Sequence, residues 1–421
     1  MLRTSTTRNV RRIARSFATV VDTAGVKVAA IDQNQPTSSV TLFVKAGSRF
    51  EPKEGVANAL KNFAFKSTTE RSAIGTVRES ELYGGQLSST LGREHLALTA
   101  EFLRGDAAYF VDVLTSFVTS ANFTRHEFEE YVTPLISSDS AAVASNPAVR
   151  AVDAAHYLAF RSGLGSSLFA PEHNSITVND VKSFAATAFN KSNIAVVGTG
   201  IDQATLSDLV QKAFAKAKAA SAATSPASKY FGGETRLTGH GGPQTAFIGF
   251  GTTGSSSAEL ATLAAHLSPT PSVKWSKGIS PLSAIPEGTS VTPIHLTYSD
   301  ATLFGLLVQG PTVEGVKAAG TTAVSALKAA AQSIKAEDLT SAKAKAKFAA
   351  ASAVDTREGL VAALGSKIFG ENVSTLEATL SSLDSVDAAA FSKAASALIS
   401  AKPTYVTIGE AHLPFADELG L

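Results

Sequence analysis

The strongest constraint on the fold is that the chain repeats itself. The alternating stretch SSVTLFVKAGS (38–48) reads as a strand running into a turn, and the helical pattern GVANALKNFAFKST (55–68) follows it. Further along, GPQTAFIGFGTTG (242–254) is again strand and turn, followed by the helical SSSAELATLAAHL. The ends of the two halves match as well: DVKSFAATAFNKSNIAVVGTG (180–200) and AAFSKAASALISAKPTYVTIGE (389–410) both read as helix, then strand. Phe43 and Phe247 stand 204 positions apart, and Gly198 and Gly409 stand 211 apart. Two similar offsets near half of a 421-residue chain point to a duplicated domain.

Between the halves lies KAKAASAATSPASKYFGGE (216–234), with small residues, Pro226 and no apolar period, the composition of a linker. The expected domains are therefore residues 18–215 and 230–421, joined by residues 216–229. Within each half strands come early, helices follow, and a helix–strand pair closes the unit. GQLSSTLGREHLALTAEFL (85–103) reads as an antiparallel hairpin with Gly92 in its turn. Strands grouped apart from a helical block imply an α+β fold. Residues 312–371 are Ala-rich and helical, and Lys343, Lys345 and Lys347 there read as a solvated face.

The first 17 residues stand apart from this pattern. Arg3, Arg8, Arg11, Arg12 and Arg15 are interleaved with Ser and Thr, and the first acidic residue is Asp22. On a helix, Leu2, Val10 and Ile13 share one side and most of the arginines take the other. That is the signature of a mitochondrial transit peptide, here residues 1–17, with the mature chain beginning at Ala18. A net charge of +1 gives no general reason for nucleic-acid binding. No stretch reaches 18 consecutive apolar residues, so no membrane span is expected. Without cysteine, the chain has no disulfide, no Cys-ligated iron–sulfur cluster or zinc site, and no c-type haem attachment.

The most informative chemistry is chemistry withheld. Asn58, Lys61 and Asn62 sit at i, i+3 and i+4, on one helix face, where His-x-x-Glu-His would supply two zinc ligands and a general base. Neutral amide oxygens are poor zinc donors, and an ammonium repels the metal it would have to serve. The expectation is no catalytic residue and no metal or cofactor site, with Val56, Leu60 and Phe63 packing the other face into the core. GFGTTG (249–254) matches the dinucleotide fingerprint formally. No Asp or Glu occurs at 260–286 to hold a ribose, so a strand-end turn is the better reading. His126 and Glu130 share a helix face that reads as solvated, and histidines 95, 156, 173, 240, 266, 295 and 412 are scattered.

AGSRFEPKEGVANALKNFAFKST resembles the N-terminal active-site helix of the pitrilysin-type family, which includes the mitochondrial processing peptidase and the two core proteins of respiratory complex III. Active members read Gly-x-x-His-x-x-Glu-His-x-x-Phe-Lys-Gly-Thr. Gly55, Phe65, Lys66 and Thr68 keep that frame and Ser67 replaces its Gly, while Asn58, Lys61 and Asn62 replace ligands and base. The remaining ligand position falls near Ser138 or Asp139. YGGQLSSTLGREHLALTAEFLR, FRSGLGSSLFAPEHNSITVNDVKSF, PSVKWSKGISPLS and TYSDATLFGLLVQG side with the second core-protein branch. The glycine-rich loop of the processing peptidase is missing, since HLSPTPSVKWSKGISPLSAI holds only Gly278.

The resemblance implies two homologous α+β domains facing each other as a clamshell around a cavity. It also implies a non-catalytic structural subunit without cofactors, peripheral to the mitochondrial inner membrane on its matrix side. Implied partners are core protein 1, cytochrome b, cytochrome c1 and other subunits of a dimeric complex III. The alternative it leaves is a metal-free, substrate-binding partner of the processing peptidase.

Overall fold

The computed structural model describes residues 20–171, 175–215, 222–239, 241–254, 257–269, 280–365, 367–370 and 375–421. Residues 1–17, read above as a transit peptide, residues 216–221 of the expected linker, His173, His240 and Gly278 lie outside the described residues.

The first half contains β1 (Val21–Thr23), β2 (Val26–Ile31), β3 (Thr37–Val44), α1 (Val56–Asn62), α2 (Ala73–Leu82), β4 (Gln86–Leu91), β5 (Leu96–Leu103) and α3 (Ala107–Ser120). It continues with α4 (Thr133–Ala144), α5 (Pro147–Phe160), α6 (Val178–Ala188), β6 (Ile194–Thr199) and α7 (Gln203–Ala213). The second half contains β7 (Gly233–Thr238), β8 (Gln244–Thr253), α8 (Ala258–Leu267), β9 (Ser290–Thr297), β10 (Ala301–Gly310) and α9 (Val313–Gln332). It ends with α10 (Ala336–Ala353), α11 (Arg357–Gly365), α12 (Leu376–Asp384), α13 (Ala388–Ile399) and β11 (Thr404–Gly409).

The repeat read from the sequence is a repeat of topology. The first sheet runs β1-β2-β6-β3-β5-β4 and the second β7-β11-β8-β10-β9. β2 pairs parallel with β6 as β7 does with β11, and the other corresponding pairs are antiparallel in both. The hairpin β4–β5 closes on Gly92, whose N–H donates to His95 O at 2.8 Å. Among the described residues, no strand of the second sheet corresponds to β1.

The central strands are buried at nearly every position because both sheet faces are covered. In β6, Ile194 and Val196 enter the large core with α1, α3, α6 and α7, while Ala195 and Val197 enter a smaller one on the other face. That smaller core is closed by α11, which brings Leu360, Val361 and Leu364 against Ala29 and Phe43. In the second sheet the corresponding layer is α5, whose Ala151, Ala155, Ala159 and Phe160 pack on Phe247, Val406 and Ile408.

Each sheet thus takes one covering helix from the other half. The compact units are residues 1–140, 168–225 and 353–376 on one side, and 141–167, 226–352 and 377–421 on the other. The sequence boundaries at 215 and 230 follow the repeat along the chain, whereas the compact units follow the exchanged helices. Alanines four residues apart, 151, 155 and 159, give α5 a small-residue face against the strands, and buried apolar area there stabilises the layer.

GFGTTG corrects one expectation. It is not a strand-end turn: Gly249 to Thr253 lie inside β8, paired with β10, and only Gly254 leaves the ladder at φ 113°. A Cβ at Gly251 would stand 2.3 Å from the Tyr230 ring, so these glycines make room for aromatic rings. On α10, Lys343 donates to Asp384 O and Lys347 pairs with the Asp384 carboxylate, an exposed arrangement in keeping with a solvated face.

Candidate functional site

α1 begins at Gly55, whose φ of 86° and close approach to Ala170 both require glycine; a Cβ there would lie 2.7 Å from Ala170 Cβ. The Glu51 carboxylate caps the helix by accepting from Ala57 N–H at 3.0 Å. Val56, Leu60 and Phe63 are buried, and Phe63 meets Phe123 edge-to-face at 5.2 Å between centroids. That is the packing face expected from the sequence.

On the other face Asn58, Lys61 and Asn62 converge on one atom. Lys61 Nζ is 2.7 Å from Asp139 Oδ2, Asn62 Nδ2 is 3.1 Å and Asn58 Nδ2 is 3.2 Å from it. Asn62 Nδ2 also donates to Asn58 Oδ1 at 3.2 Å, and Asn58 Nδ2 to Leu168 O at 3.4 Å. Asp139 comes from α4, which follows a π-helical turn at Phe128–Val132. Of the two positions open in the sequence, 138 and 139, Asp139 is the one facing α1.

Asn58 and Asn62 are buried. Burial opposes ionisation of Asp139, but hydrogen bonds from Lys61 and Asn62, with the Lys61 charge, hold its carboxyl below the usual range. Residues on either side are tied to neighbouring elements: Ser140 Oγ donates to Ala170 O at 2.9 Å and Lys53 Nζ to Ser175 O at 2.5 Å.

These residues do not fit the zinc that the resemblance would supply in active members. The place of the general base holds an ammonium, the two imidazole places hold amides, and all three donate to the one carboxylate available. One carboxylate already paired with an ammonium, beside two amide oxygens, is a poor donor set for zinc. Among the described residues no group of three or more His, Cys, Asp or Glu is arranged to hold an ion.

The other sequence candidates stay apart from this cluster. His126 meets Glu130 at 3.1 Å on an exposed surface. His156 is buried between Val152 O and Tyr298 Oη, each at 2.7 Å. Burial lowers the imidazole pKa of His95, His266 and His295.

Two carboxylates were missed, Glu127, which is buried, and Glu51, which is partly so. Glu127 accepts from Ser67 N at 2.9 Å, Ser67 Oγ at 2.7 Å and Thr124 Oγ1 at 2.8 Å, fixing the turn after α1. Its signal was present, because Thr124-Arg-His-Glu127 is the Thr-x-x-Glu pattern of a helix start. Glu51 has no such signature. Burial pushes its carboxyl up to about 7.

Residues 27–172 match the model of the insulinase family, peptidase family M16. Curated relatives extend the match to the whole chain. "Cytochrome b-c1 complex subunit 2, mitochondrial" of Cryptococcus neoformans is 42% identical, covering 100% of this chain and 98% of the relative. The proteins of the same description from Yarrowia lipolytica and Neurospora crassa are 37% and 39% identical, covering 98% and 94% of this chain and 100% and 90% of theirs. The chain belongs to the family of mitochondrial cytochrome b-c1 complex subunit 2 proteins. In this subunit 2 family member one face of α1 packs into the core, and the other carries a hydrogen-bonded cluster on Asp139.

Proposed function

We infer that the protein is a non-catalytic structural core subunit of a mitochondrial cytochrome b-c1 complex, supporting assembly and stability of that ubiquinol–cytochrome c oxidoreductase. The observation that carries this reading is the pairing of full-length identity to subunit 2 proteins with the Lys61–Asp139 cluster in place of a metal centre. It is an inactive peptidase homologue. Its contribution is surface and fold, with no electron carrier of its own.

The finer statements belong to the same proposal. Residues 1–17 are a transit peptide, residues 18–215 and 230–421 are the two homologous domains, and residues 216–229 join them. The subunit is peripheral, on the matrix side of the inner membrane, with core protein 1, cytochrome b and cytochrome c1 as partners. Two features support it: the Arg-rich, acid-poor N-terminus, and the lack among described residues of any helix long and apolar enough to cross a membrane.

The test is mild-detergent extraction of mitochondria followed by capture of this chain. Recovery of cytochrome b, cytochrome c1 and a core-protein-1-like chain in equal amounts is the expected result. Recovery with a soluble His-x-x-Glu-His protein, free of haem, would replace this reading with that of a processing-peptidase partner.

A further inference from the structure

The two sheets differ at one edge. In the first, β1 covers β2, with Val28 opposite Val21 and Val26 opposite Thr23. In the second, β7 occupies the place of β2 and no strand among the described residues covers it. The chain preceding β7 does not turn back along it. Ser228 is held on Asp300 through N–H (2.8 Å) and Oγ (3.0 Å), at the β9–β10 turn, on the far side of β11 and β8 from β7.

The ladder shows which groups this leaves free. Gly233 N–H donates to Pro403 O at 2.8 Å and Gly239 N–H to Gly409 O at 3.3 Å, so the odd-numbered residues of β7 face β11. In-plane backbone direction alternates along a strand, so the N–H and C=O groups of Glu234 and Arg236 face outward. Thr238 O, next in that row, accepts from Arg150 Nη1 at 3.0 Å, which ends the open stretch. Glu234 is exposed. The opposite edge of this sheet carries Pro293 in β9, a residue that blunts strand pairing, and β7 has no such residue.

We propose that the β7 edge pairs antiparallel with β7 of a second copy of this chain, about a two-fold axis at Thr235. That register places Glu234 opposite Arg236 of the second copy, and Arg236 opposite its Glu234. Both residues have outward N–H and C=O groups, so each such pair exchanges two hydrogen bonds, and opposite charges face each other on the same side of the sheet. The strand is self-complementary in backbone and in charge. Arg236 is anchored beside this edge by its own chain, with Nη1 donating to Pro414 O at 3.3 Å. Its Nη2 donates to Leu413 O (2.6 Å) and Ala411 O (2.9 Å), its guanidinium lies 4.0 Å from the Phe415 ring centroid, and its Nη1 stands 3.9 Å from Glu234 Oε1.

Sedimentation of the purified full chain over a range of concentrations tests this. The wild type should associate to a dimer. Glu234→Pro removes one outward donor while leaving the β11 ladder intact, and should weaken the dimer by at least about tenfold. Glu234→Arg sets arginine against Arg236 of the second copy and should do the same. Combining it with Arg236→Glu restores opposite charges and should restore the dimer. Should the proline variant fail to fold, the two charge variants decide alone. A wild type that stays monomeric overturns the proposal, as does a dimer indifferent to Glu234→Arg, or a map of the assembled complex with a strand of another subunit along β7.

Discussion

Lys61 Nζ and Asp139 Oδ2 lie 2.7 Å apart, and the same oxygen accepts from Asn58 and Asn62. An ion pair with these extra donors joins α1 to α4. Lys61→Met leaves the Asp139 carboxylate half-sequestered without its counter-charge, and should cost about 1–2 kcal/mol. Urea unfolding of Lys61→Met, Asp139→Leu and the double variant should show the double variant recovering part of the loss. Simple additivity of the two single effects would argue against coupling through this pair.

The acid limb of stability should carry the same signature. Asp139 has its carboxyl lowered below the usual 3.8 in the folded chain. Its contribution is present above the unfolded value and is lost as pH falls through the folded one. Lys61→Met should flatten this part of the profile below about pH 4. An unchanged acid limb in that variant would remove Asp139 from the account.

Glu51 should act in the opposite sense. Its carboxyl titrates near 7 in the folded chain against 4.5 in the reference state. The folded state holds the proton more tightly, so the contribution is full below 4.5 and is lost as pH rises towards 7. The loss is about 3 kcal/mol at most. Glu51→Gln keeps an acceptor for Ala57 N–H and removes the titration. Relative to the wild type it should gain stability from pH 5 to 8, read as the difference between two urea series.

The missing metal site is close to being restorable. Asn58 and Asn62 both reach the oxygen of Asp139, so Asn58→His with Asn62→His and Lys61→Glu would assemble two imidazoles and a carboxylate around one point. The triple variant should bind about one zinc per chain in equilibrium dialysis, a three-ligand set. Weak, non-stoichiometric uptake equal to that of the wild type would show that the backbone no longer holds the ligand geometry.

Gly365 is where α11 meets the first sheet. A Cβ there would fall 2.2 Å from Cζ of Phe43, in the same small core as Leu360 and Leu364. Gly365→Ala should displace that ring and destabilise by about 1–3 kcal/mol through overpacking. A thermal midpoint equal to the wild type would mean that the layer repacks freely.

Much of this architecture is legible in the sequence. The strand–helix order, the repeat, the β4–β5 hairpin with Gly92, and the buried Val56–Leu60–Phe63 face all follow from local periodicity and turn residues. Asn58, Lys61 and Asn62 were legible as a face because i, i+3 and i+4 spacing is a local fact. Their acceptor was narrowed only to 138 or 139, because the phase of α4 is set by a π-helical turn that leaves no mark in periodicity. GFGTTG reads as a turn because glycines punctuate local patterns, whereas Tyr230 and Phe247 rings occupy the space that side chains would fill. The exchange of α5 and α11 was invisible for a plainer reason. An apolar helix face announces that it will be buried, not against which sheet.

That exchange orders events in time. A ribosome delivers the chain from its N-terminus, so the strands of the first sheet exist long before residues 353–376, which complete that unit. Until then Ala29, Phe43, Ala195 and Val197 have no cover on their side of the sheet. The first half is thus a waiting intermediate, sticky on one face, and its maturation depends on synthesis of the second. A truncated message from this gene would yield a product prone to chaperone capture and degradation rather than a smaller working domain.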